Sequence, residues 1–263
     1  QTRYWHDSVS LFRHALDATP RNPIMLYNLA NELTKLNRFD EAIDYYHRAL
    51  EYKLQLGEIH NNLGRTYSLH GKIDRSVHHY RESIRYRPKS FRTHYNLGNA
   101  LKDLGQYDQA IHHYRQAQQH NPESIELLTN LAAMLAITGQ LEQSYKCFES
   151  LALLDPKDAT SQYNLGISFS SRGRFKEAVK HLRRALEIRP DYADAHHHLG
   201  AALDKTGRPE EALAHLRQAA RHIPGWPLPL NHMAWILATH PDAAVRDAAT
   251  AIDHAKEASR LTE

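Results

Sequence analysis

The chain has 263 residues, 41% of them apolar and 24% charged, a balance that belongs to folded domains and not to a disordered segment. Lys and Arg number 33 against 30 Asp and Glu, and this net charge of +3 is spread without a cationic run, which argues against a nucleic-acid partner. A single cysteine, Cys147, excludes an internal disulfide framework and a cysteine-based zinc site, and no apolar stretch reaches the ~18 residues of a membrane-spanning helix.

Residues 1–22 open the chain. Within them, 3–19 reads as one amphipathic helix, in which Ser8, Phe12, Ala15 and Pro20 stand 34 residues ahead of Ala42, Tyr46, Ala49 and Leu54. Residues 23–226 then repeat six times at that spacing. The tetrapeptides YNLA, NNLG, YNLG, TNLA, YNLG and HHLG begin at 27, 61, 95, 129, 163 and 197, and a degenerate NHMA follows at 231. Glycines 71, 105, 139, 173 and 207, the small residues Ala42, Ser76, Ala110, Ser144, Ala178 and Ala212, and prolines 88, 122, 156, 190 and 224 keep the same period.

Each period is predicted to be two helices. In the third, Leu97, Leu101 and Leu104 carry the apolar stripe of a first helix that ends at Gly105. The second helix starts near Asp108, runs through Ala110, Tyr114 and Ala117, and stops before Pro122. Gly98 and Ala110 let the two helices approach closely, and Tyr114 is expected to fill the space towards the next period. First helices should start near 24, 57, 91, 125, 159 and 193. Residues 227–263 form an atypical final pair with about five extra residues in its turn, for about fifteen antiparallel helices and no strand in all.

The Leu-Gly/Ala pair, the small residue in the second helix, the aromatic four later and the closing Pro resemble the tetratricopeptide repeat over nearly the whole chain. The resemblance implies an all-α fold, a right-handed superhelix of stacked helix pairs (an α-solenoid) whose first helices wall a concave groove. The large aromatic often found near the start of the family's first helix is replaced by Leu26, His60, His94 and Leu128. Residues 3–19 then match a lone second helix whose partner is missing, so the chain is expected to be an excerpt from something longer.

The residue before the inward Leu should face that groove, and there stand Asn28, Asn62, Asn96, Asn130 and Asn164, followed by His198 and His232. Asn is ~0.5 kcal/mol worse than Ala inside a helix, so five in register call for a use. The neighbouring positions vary: Tyr27, Asn61, Tyr95, Thr129 and Tyr163 on one side, Asn31, Arg65, Asn99, Ala133 and Ile167 on the other. A carboxamide offers one acceptor and two donors, which suits the alternating C=O and N–H of an extended peptide. The same amides could instead bond their own helix or a neighbouring repeat. The five Asn resemble the ladder in the repeat domain of O-linked N-acetylglucosamine transferase, which implies that they hold a substrate backbone. The candidate peptide-binding residues are thus Asn28, Asn62, Asn96, Asn130 and Asn164 with Tyr27, Tyr95, Tyr163, Asn31, Arg65, Asn99 and His198.

A clamp for a C-terminal carboxylate, the family's other groove chemistry, would use Tyr27, Asn31, Asn62, Arg92 and Asn96, but Tyr27 and Asn96 stand where it needs cations. The 20 histidines, including the pairs 78–79 and 112–113 and the triplet 196–198, read as solvated or groove-lining polar residues; Asp194, His198 and His232 would make at most a weak metal site. No Gly-rich phosphate loop, HExxH or nucleophile–base set occurs, so the segment is expected to be non-catalytic, without cofactor or metal. The expected partner is a protein or extended peptide; oligomeric state is left open. The end motifs YWHDSVSLFRHAL and MAWILATHPDAAVRDAATAIDHAKEASRLT resemble the repeat domains of transmembrane-and-tetratricopeptide-type membrane proteins, which are similar to dolichyl-phosphate-mannose-dependent mannosyltransferases. That resemblance implies a lumenal or periplasmic arm presenting protein acceptors to an enzyme elsewhere in the chain. Without it, a cytoplasmic binding module or a purely structural scaffold is expected.

Overall fold

Backbone torsion at one position per period divides each helix pair. Gly71, Gly105, Gly139, Gly173 and Gly207 all adopt φ between 71° and 77°, the left-handed conformation that ends a first helix and turns the chain. In the first period Asn37 does the same at φ 59°, since Asn is the side chain that best tolerates this region. A computed structural model describes residues 8–262, and among these are fifteen α-helices and no strand. The part of the N-terminal motif before Ser8 lies outside the described residues.

The described residues divide into two compact units, one up to Gly139 and one from Gln140, the boundary lying in a helix–helix turn. The first unit holds α1 (Ser8–Ala18), α2 (Pro23–Lys35), α3 (Phe39–Leu50), α4 (Leu56–Leu69), α5 (Ile73–Tyr86), α6 (Phe91–Asp103), α7 (Tyr107–Gln118) and α8 (Ile125–Ile137). The second holds α9 (Leu141–Leu154), α10 (Ala159–Ser171), α11 (Phe175–Ile188), α12 (Ala193–Lys205), α13 (Pro209–His222), α14 (Pro227–Thr239) and α15 (Ala248–Arg260). The six first helices start within a residue of the expected positions. The final pair has eight residues, 240–247, in its turn where the others have three, the five extra that the sequence indicates.

Inside each unit every helix packs on the next, and first helices also touch across a repeat: α2 on α4, α4 on α6, α10 on α12, α12 on α14. That second set of contacts puts the first helices on the inner side of each unit. The buried residues follow the sequence stripe, with Leu29, Leu33, Leu63, Leu97, Leu101, Leu199 and Leu203 fully enclosed. Several first helices are started by a side chain that accepts from their free N–H groups, as Asn22 does for α2, Ser90 for α6, Ser124 for α8 and Asp158 for α10. No second helix from α3 to α13 has such a side-chain cap.

Tyr114 also fills space inside its own repeat. Its ring lies over Gly98, where a Cβ would come within 2.5 Å of it. Gly98 leaves a niche one ring deep between α6 and α7, and an aromatic ring is the shape that fills it. Tyr80 over Gly64, Leu182 over Gly166 and Leu216 over Gly200 repeat the arrangement.

Candidate functional site

The inner face of the first unit is where the expected asparagines can be followed one by one. Asn62, on α4, donates from Nδ2 to the Tyr27 hydroxyl (2.8 Å) and to Asn31 Oδ1 (2.9 Å), both on α2. Asn130, on α8, makes the same two bonds to Tyr95 (3.2 Å) and Asn99 (3.3 Å) on α6. The Asn31 oxygen also accepts from the Tyr46 hydroxyl at 2.6 Å, and the Asn99 oxygen from Tyr114 at 2.7 Å. Burial pushes the Tyr46 hydroxyl up to about 12, and that of Tyr114 upward as well, so both remain protonated donors at neutral pH. Two equivalent four-residue clusters result, Tyr27–Asn31–Tyr46–Asn62 and Tyr95–Asn99–Tyr114–Asn130. Each ties the two helices of one repeat to the first helix of the next.

The remaining rungs differ. Asn96 donates to Asn61 Oδ1 at 3.3 Å and keeps its own oxygen without a partner. Among the described residues Asn28 and Asn164 make no side-chain hydrogen bond, and both are half-buried. Asn31 and Asn99 spend their oxygens in the clusters but keep their NH2 groups. A cleft of about 290 Å³ opens on this face beside Tyr27, Asn61, Asn62, Arg92 and Thr93, with the Glu58–Arg87 ion pair (2.5 Å) at its edge. Arg92 and Arg65 are exposed and have no acidic partner among the described residues.

In the second unit the face changes character. Tyr163 packs its ring at 4.8 Å from Tyr192 and at 5.8 Å, edge on, from His198, and burial raises its hydroxyl above the ordinary tyrosine value. His197 meets Trp226 at 5.0 Å and His232 at 6.0 Å; His232 lies 3.8 Å from Asp204. Burial lowers His197, to about 4, and also His198 and His232. Ala201 and Ile167 are half-buried here and Trp235 is 65% exposed. Among the described residues no group of three or more His, Cys, Asp or Glu side chains is placed to hold a metal ion.

Two features escaped the sequence reading. The Tyr–Asn–Tyr–Asn clusters recur at 68 residues, twice the period, so a search at 34 hides them. The histidines at 78–79 and 112–113 are not uniformly solvated: His78 and His112 are exposed, but His79 is buried and His113 half-buried, each against a histidine of the preceding first helix. Their constant offset of 19 residues was the available signal.

Models of the tetratricopeptide repeat match residues 23–53 and 91–124, 123–191 and 159–222, and a further repeat model matches 64–105. No curated protein sequence matches the chain. Among solved structures it is similar to YrrB, a TPR protein with an unusual peptide-binding site, at 24% identity over 71% of this chain and 96% of that one, with a TM-score of 0.63. MamA is similar at 20% identity over 64% of this chain and 92% of that one, with a TM-score of 0.59. MamA from Desulfovibrio magneticus RS-1 reaches 18% over 64% and 95%, with a TM-score of 0.57. Likeness at these identities extends to the fold of stacked helix pairs. With repeat models matching 23–53 and 64–222, well over half of its length, the chain belongs to the tetratricopeptide repeat family.

Proposed function

We propose that the chain is a non-catalytic module that holds extended polypeptide against the first-helix faces of its units through side-chain amides. The observation that carries this reading is the supply of unspent amide groups on those faces. Asn28 and Asn164 are uncommitted at both ends, Asn96 keeps its acceptor, and Asn31 and Asn99 keep their donors. An extended backbone presents the complementary alternation of C=O and N–H. Asn62 and Asn130 have a supporting role: their donors are spent on the preceding repeat, which fixes the spacing of the rungs that grip. Tyr27 and Arg92 line the cleft, and the exposed Arg92 favours acidic side chains in the ligand, as does the exposed Arg65 on α4. YrrB, with its peptide-binding site, is an analogue in support.

The test compares two variants against peptides selected from a random library, with affinity read by calorimetry. Asn28, Asn96 and Asn164 changed together to Ala should weaken binding at least about tenfold while the thermal midpoint holds or rises, because Ala is favoured by ~0.5 kcal/mol per site. Asn62 and Asn130 changed to Ala should lower the midpoint, since each loses two hydrogen bonds worth ~1 kcal/mol apiece. Undiminished affinity in the first variant ends the amide-grip reading.

A second reading makes the same face the acceptor-presenting arm of a membrane glycosyltransferase. What favours it is the closing motif, which the fold places on α14 and α15, the pair with the lengthened turn. Sequencing the gene upstream of Gln1 tests it: a series of long apolar segments supports the arm, and a further repeat removes it.

A further inference from the structure

Three interior histidine pairs lie outside that function. In the second, third and sixth repeats a first-helix histidine meets a second-helix histidine 19 residues on, Nδ1 to Nδ1: His60–His79 at 3.1 Å, His94–His113 at 3.0 Å and His196–His215 at 2.9 Å. Two ring nitrogens at this distance share one proton, an N–H on one side and a lone pair on the other. In two pairs the backbone decides which side. Nε2 of His94 lies 3.0 Å from the Pro88 carbonyl, and Nε2 of His196 lies 3.0 Å from that of Pro190. A carbonyl only accepts, so Nε2 carries the proton and Nδ1 of the neutral ring is the lone pair. His113 and His215 therefore donate from Nδ1. A proton added to Nε2 of His113 leaves that bond in place. A second, on Nδ1 of His94, sets two N–H groups head on and breaks it.

We propose that these three joints form an acid-sensitive latch: each folded pair accommodates one added proton at most, and the second parts α4 from α5, α6 from α7 and α12 from α13. The charged and titratable neighbours do little to relieve a second charge. Around His60–His79 stand His47 from α3, and Arg75, His78 and Glu82 from α5. Around His94–His113 stand Arg81 from α5, His112 from α7 and His120 just beyond it. Around His196–His215 stand Arg183 from α11, and Glu211 and His222 from α13. Of these side chains only the two glutamates favour the charged form, and the Pro88 and Pro190 carbonyls favour it at His94 and His196; burial outweighs both. Burial is the largest cause in all six rings and lowers each below the ordinary histidine value, His79 to about 3 and His113 to about 4.

The direction of the effect follows. Because the folded values are depressed, the unfolded chain takes up protons first. Stability is full above about pH 7 and falls as the pH drops below the ordinary value near 6.5, the folded-to-unfolded ratio losing about tenfold per pH unit for each extra proton bound by the unfolded chain.

The fifth repeat holds a natural control, in which His181 Nδ1 and Gln162 Oε1 make the equivalent bond at 3.0 Å with a single titrating ring. The test copies it: His60→Gln, His94→Gln and His196→Gln together, followed by circular dichroism from pH 8 to pH 4 at constant salt. The variant should match the parent at pH 8 and unfold at a pH lower by about half a unit or more. An acid-unfolding curve that superposes on the parent's overturns the proposal. If the variant does not fold at pH 8, ¹⁵N titration of the parent's imidazoles decides. His94 and His196 should stay neutral and Nε2-protonated well below the ordinary histidine value, because burial disfavours their charged form, and their titration near the ordinary value in the folded protein overturns the latch.

Discussion

Gly98 shows how little space separates the helices of one repeat. A Cβ there would lie 2.5 and 2.6 Å from atoms of the Tyr114 ring, and that ring is fully buried with its hydroxyl committed to Asn99. The ring cannot swing aside without breaking the bond that also orients Asn99 towards Asn130. Gly98→Leu should therefore destabilise by roughly 1–3 kcal/mol through overpacking. Gly105, which closes the same helix with φ 71°, has nothing within 4 Å of a Cβ, so its substitution strains only the backbone. Urea denaturation of Gly98→Leu checks the first point, and an unchanged midpoint contradicts the assigned register.

At the scale of the helix, the starts of α10 and α11 show how differently first and second helices are held. Asp158 accepts from the Thr160 and Ser161 N–H groups, at 3.2 and 2.7 Å, and from the Ser161 hydroxyl. Burial raises its carboxyl, but these hydrogen bonds outweigh burial and hold it below the usual aspartate value. Such a depressed folded value gives stability that is present above the unfolded pKa and is lost as the pH falls through the folded one. Asp158→Ala should cost about 1 kcal/mol at pH 7. The difference from the parent should shrink as the pH falls below about 4, the ordinary aspartate value, and through the depressed folded value, as chemical denaturation across this range will show. The second helix α11 has no side-chain cap and relies on packing, its Ala178, Leu182 and Ala185 being fully buried.

For the whole molecule, contacts run from helix to neighbouring helix, so stability is nearly a sum over repeats and the joints between them. Two compact units strengthen that expectation. Hydrogen exchange of Gly98→Leu should speed up first in α5 to α8, while amides of α11 to α13 keep most of their protection. Uniform loss across all fifteen helices would mean that the molecule opens as a single cooperative body.

The fold was legible because repeats and helices write themselves into a chain as short-range periods. The 34-residue spacing, the left-handed Gly positions and the apolar stripe through Leu97 and Leu101 each follow from local geometry, so they placed the first helices to within a residue. The extra length of the last turn came from the same counting. What side chains bond to across a repeat is not local. Asn28 and Asn62 occupy the same register, yet Asn28 makes no side-chain hydrogen bond among the described residues while Asn62 is tied to Tyr27 and Asn31, which the stacking of α4 on α2 brings within reach. His78 and His79 likewise differ by one step around a helix, which turns the first to solvent and the second onto His60. Sequence determined the register; tertiary packing, by setting which polar atoms meet at 3 Å in the interior and which are left unpaired, decided which residues hold the stack and which can hold a ligand.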